Sequence, residues 1–163
     1  MAVSRIFLFI VALSLISCDN DSESKKLDNE QVLLLMENAK ETLLIGNIPF
    51  VLEAYIWRDY MPVIPPEGRG IVSINWLVSP NSIPMPNHIN MVKQYVIYED
   101  KVWDADYESE SDRTYFNKIE RISRNGPQWE TGISVTVVSQ IYDSETKTNY
   151  YIKCNDVTIH RTD

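Results

Sequence analysis

The chain has 163 residues, 44% of them hydrophobic and 23% charged, and carries a formal net charge of −8. That length buries a core within one domain, and the apolar content excludes a disordered chain. The acidic balance argues against a surface that tracks phosphates, so nucleic acid is not an expected partner.

Residues 1–5 make a short positive start, and residues 6–16 are apolar except for Ser14. So short a run cannot span a bilayer as a helix, which takes about 20 residues. It suits the apolar region of an export signal, which is removed and takes no part in the fold. The run ends in Leu15-Ile16-Ser17-Cys18. This resembles the lipobox of bacterial lipoprotein precursors. The resemblance implies a signal peptide over residues 1–17, cleavage between Ser17 and Cys18, and acyl chains (palmitate among them) on Cys18. The expected partner is then a membrane. Each buried CH₂ contributes about 0.8 kcal/mol, so two or three chains hold a domain there stably.

Residues 18–29 are polar and mostly acidic, and read as a flexible tether. Asp19, Asp21 and Glu23 resemble the export tags of surface-exposed lipoproteins in Bacteroidota. An Asp directly after the Cys instead resembles an inner-membrane retention signal of enteric bacteria. A lipid-anchored envelope protein at the outer membrane is the favoured expectation.

Residues 30–163 form the expected single domain. Asp28 and Gln31 fit a capping box, and Val32, Leu35, Met36 and Ala39 fall on one helical face over residues 29–40. A Gly46-Asn47 turn then joins two strands, the longer alternating Leu52, Ala54 and Ile56 against Glu53, Tyr55 and Trp57. In residues 71–79, Val72, Ile74, Trp76 and Val78 share one face, the expected core face, while Ser73, Asn75 and Ser79 share the other. Further strands are expected over residues 91–98, 101–107, 116–124, 133–142 and 150–159, with prolines and glycines marking the loops. About eight short strands after one helix predict a mainly β fold. The expected architecture is an antiparallel β-sandwich of immunoglobulin or fibronectin type.

Tyr55-Ile56-Trp57-Arg58-Asp59-Tyr60-Met61-Pro62 and the later Gly126-Pro127-Gln128-Trp129 resemble motifs of a group of uncharacterised exported bacterial domains. That resemblance implies no activity and no catalytic residue. Read from the residues, Arg58 can clamp a loop by bidentate pairing to a carboxylate, and Trp57 can fill one end of the sandwich. Alternatively Trp57, Arg58, Asp59 and Trp129, with the Pro65-Pro66 loop, form an open aromatic edge for a sugar or a partner protein.

Asp104, Asp106, Glu108 and Glu110 repeat every second residue, which reads as a solvated strand face rather than a Ca²⁺ site. His88 and His160 stand far apart without ligand spacing, so neither a metal nor a cofactor is expected. With Cys18 acylated, Cys154 has no partner for a disulfide within the mature chain and reads as a small buried hydrophobe. No nucleophile elbow, phosphate loop or zinc-binding helix motif occurs. The leading expectation is a non-enzymatic binding or accessory module, whose partner is another envelope protein or a glycan. The alternatives are a small envelope hydrolase using acids of residues 99–110, and a protease inhibitor.

Overall fold

The structure is a computed structural model, and it describes residues 29–61, 69–79, 83–108 and 112–163. The lipobox with Cys18, the tether, Asp28, Pro62, the Pro65-Pro66 loop and Glu110 lie outside the described residues.

The order along the chain is α1 (Asn29–Asn38), β1 (Thr42–Ile45), β2 (Ile48–Asp59), β3 (Val72–Val78), β4 (Ile89–Tyr98), β5 (Lys101–Asp106), β6 (Arg113–Thr114), β7 (Lys118–Ser123), β8 (Ser134–Asp143) and β9 (Thr148–Thr162). The fold is mainly β, as expected. Its strands form one continuous mixed sheet in the order β5-β4-β8-β9-β2-β3-β7-β6, with β1 also on β2. Fully antiparallel pairing is not what forms, because β2 and β9 run parallel from Ile56↔Ile159 to Asp59↔Thr162.

The long strand β9 is the reason a single sheet can enclose a core. Its first part pairs with β8 and its last residues pair with β2. Between them, Val135↔Val157 and Val137↔Cys154 leave one extra residue on β9, and Asp156 there has φ 56°. Such a bulge bends a strand and steepens its twist, carrying β9 from one half of the sheet to the other. The sheet curls, and Val96, Val137 and Ile152 of the first half meet Phe50, Leu52, Ile56 and Leu77 of the second.

Helix α1 packs on the outer side of the first half. Val32, Leu35, Met36 and Ala39 gather there with Ile97, Val102, Val138 and Tyr151. That is the helical face expected from the sequence.

The two ends of the curled sheet are tied by local chemistry. Gly126 donates its N–H to the Ile71 carbonyl at 3.0 Å, and a Cβ on Gly126 would fall 2.6 Å from Ile71 Cγ1 and 2.9 Å from Trp103. Only glycine lets the chain pass there. At the opposite end, the β8–β9 turn is closed by Asp143 Oδ1, which accepts from the N–H groups of Glu145 at 2.9 Å and Thr146 at 3.2 Å.

Candidate functional site

Pairing register decides which side chains face outward on the second half of the sheet. Residues directly opposite each other share a face. Leu52 pairs with Leu77 and Ile56 with Ser73, so the buried Leu52 and Ile56 bring Leu77, Asn75 and Ser73 inward with them. Val72, Ile74, Trp76 and Val78 are therefore the outer face, only partly buried, and belong to neither apolar cluster. This reverses the face expected from the sequence.

The reversal is stable because the inward polar groups satisfy one another. Ser73, Asn75, Gln94 and Ser139 are all fully buried. Asn75 Nδ2 donates to Gln94 Oε1 at 2.6 Å and to the Tyr107 hydroxyl at 3.1 Å, and Ser73 Oγ donates to Asn75 Oδ1 at 3.2 Å. The Tyr107 hydroxyl also bonds Ser139 Oγ at 2.9 Å, and burial pushes its pKa well above the ordinary value. Gln94 Nε2 alone in this group has no partner among the described residues.

The outer face builds up in rows across β2, β3 and β7. Val51, Val78 and Lys118 make the first row, followed by Glu53, Trp76 and Glu120. Tyr55, Ile74 and Ile122 come next, and then Trp57 and Val72 with His160 of β9 alongside. Tyr55 is 39% exposed and Trp57 and Trp76 are half-buried, with no described element packed over them. Neighbours hold the rings in place. Tyr55 stacks on His160 at 4.8 Å and 15°, and lies 5.7 Å from Trp57. Trp76 Nε1 donates to Glu120 Oε2 at 2.7 Å, and Lys118 Nζ sits 5.8 Å from its ring centre.

The edge proposed from the sequence divides at Arg58. This side chain is buried, and its guanidinium donates to the carbonyls of Arg69 at 2.9 Å, Gln128 at 3.2 Å and Trp129 at 2.9 Å. The Trp57-Arg58-Asp59 and Gly126-Pro127-Gln128-Trp129 stretches thus meet through this clamp. Trp129 is 9% exposed and packs in the core, its ring 5.8 Å from Tyr98. Asp59 Oδ1 accepts the Met61 N–H at 3.0 Å. Of the four residues Trp57 lies on the outer aromatic face, with Asp59 beyond it on the same side at the end of β2. Its companions there are Tyr55, which the alternation of the longer strand already put on the same side, and Trp76, which the sequence had put on the core face.

The other candidates have local partners. Lys93 Nζ lies 2.9 Å from Asp104 and 4.0 Å from Asp106, and its hydrogen bond to Asp104 raises its pKa. Glu108 pairs with Arg124. Cys154 is half-buried against the core, and burial raises its thiol pKa, the opposite of an activated nucleophile. His88 Nδ1 lies 3.3 Å from Glu145 at a cleft of about 310 Å³ floored by Ile45, Phe50 and Ile89. Among the described residues, no three His, Cys, Asp or Glu side chains gather where they could hold a metal ion.

No known protein family matches the chain, and no curated protein or solved structure is significantly similar to it.

Proposed function

We propose that this protein is a non-enzymatic binding module, tethered to the bacterial envelope through a lipidated Cys18, and that it binds with the outer aromatic face of β2 and β3. The anchor reading rests on Leu15-Ile16-Ser17-Cys18 after the apolar run, and favours the outer membrane. The observation that carries the binding reading is the inversion of β3. Trp76, Ile74, Val72 and Val78 face outward while Ser73 and Asn75 occupy the interior. These side chains are only partly buried, so a partner that covers this side gains the remaining fraction of the about 1.5–3 kcal/mol that full burial of a large side chain contributes. The opposed halves of the curled sheet serve this role as a rigid, sandwich-like frame.

The hydrolase alternative finds less support. The acids it would draw on include Asp104, Asp106 and Glu108, and these are paired with Lys93 and Arg124. Hydroxyl-radical footprinting tests the binding reading. Trp57 and Trp76 should be modified more slowly in intact envelopes than in the protein extracted into detergent. Equal modification of both rings in the two settings overturns it.

A further inference from the structure

We propose that the outer face of β2, β3 and β7 takes a short stretch of a neutral glycan; this rests on reading that face as the binding surface. Trp57, Tyr55 and Trp76 occupy three successive rows of the sheet. Two of these rings are 5.7 Å apart, and a row advances about 6.8 Å along a strand. The step between Tyr55 and Trp57 along β2 is similar in scale to one pyranose unit of an extended chain, and Trp76 stands one row further on β3. Sugars carry C–H faces that stack on such rings and hydroxyls that need acceptors beside them. Exposed Glu53 stands directly across from Trp76, and Glu120 accepts from the indole N–H on its other side.

Size and charge select this occupant over others. Three strands about 4.8 Å apart and four rows about 6.8 Å apart cover roughly 400 Å². A stable dimer or a standard protein partner takes about 800 Å² from each side. The face is half that, which suits a linear ligand a few units long. Within these four rows the charges also cancel. Glu53 and Glu120 are matched by Lys118 and by Arg113, whose Nη1 lies 3.6 Å from Glu120. A cationic peptide finds no surplus acid on the face. An anionic polymer meets a protein of net charge −8. An uncharged polyol meets neither obstacle.

The test uses the full mature protein in detergent, followed by tryptophan fluorescence and calorimetry. The probes are neutral hexasaccharides of glucose, mannose and N-acetylglucosamine, with hexagalacturonate as the charged comparison. At least one neutral probe should bind saturably and more tightly than hexagalacturonate. Trp57→Ala and Trp76→Ala should each weaken that binding about tenfold or more, with unchanged melting temperatures. Should either variant melt early, Tyr55→Ser at the most exposed ring replaces it. Three results overturn the proposal: no saturable binding by any neutral probe, tighter binding of the charged one, or ring variants that bind like the wild type. A doubled mass in solution that Trp76→Ala abolishes also overturns it, since a second copy then covers the face. Footprint protection in envelopes combined with no glycan binding refutes the glycan alone and leaves the binding reading standing. Loss of both refutes both.

Discussion

Arg58 shows how much of this fold depends on one side chain. Its guanidinium joins the end of β2 to the carbonyls of Arg69, Gln128 and Trp129, and the last of these is 71 positions away in sequence. A charged group hydrogen-bonded to buried carbonyls contributes about 1.5–3 kcal/mol, and its removal also strands the acceptors. Arg58→Ala should therefore cost about 3 kcal/mol in denaturant unfolding with an unchanged m-value. Arg58→Lys should recover less than half, because an ammonium lacks the planar fork that serves several acceptors together. A loss below about 1 kcal/mol for Arg58→Ala would mean that the clamp is incidental. A clamping role was one of two readings the sequence offered for Arg58, with a carboxylate as the expected partner, whereas the partners the structure shows are backbone carbonyls. Those partners were not legible in the sequence, because no local pattern says which distant carbonyls a guanidinium will meet.

At the scale of elements, periodicity revealed which residues travel together but not always which way they point. The face of α1 and the alternation of β2 were readable because each has a clear apolar side that the core takes. In β3 the same logic failed. Ser73 and Asn75 go inward because β3 pairs in register with β2, and because Gln94 on β4, Ser139 on β8 and Tyr107 just after β5 wait for them. Those partners sit 19 and 32 positions from the groups they bond, outside any local window. The β8–β9 turn offers a test at this scale. Burial pushes the Asp143 carboxyl upward, but hydrogen bonds from Thr146 and Glu145 outweigh it and hold the pKa below the ordinary carboxylate value. The lowered folded value makes the charged form stabilising above the unfolded pKa of about 3.9, and that stability is lost as pH falls through the folded value. Asp143→Ala should thus lower the melting temperature at pH 7, and the gap from wild type should narrow only below about pH 4. A gap that stays constant down to pH 2 would assign the effect to lost packing instead.

On the scale of the whole molecule, helix α1 and the aromatic face lie on opposite broad sides. Helix α1, which follows the tether, covers the outer side of the β4–β5–β8 half. Trp57 and Trp76 belong to the outer side of the other half, across the core. Residues 18–28 can reach at most about 40 Å when fully extended. With Cys18 lipidated as proposed, that reach keeps the domain near the membrane. No described helix is long and apolar enough to cross a membrane. Cys18→Ala removes the only thiol that the lipobox offers for acyl transfer. The variant should accumulate as an uncut precursor, take up no labelled palmitate, and run larger than the wild type on a gel. Its domain should still fold, since the core draws on residues from Val32 onward. Wild type and variant that label alike and migrate alike would show that Cys18 is not the attachment point. The aromatic face would then need another route to its ligand.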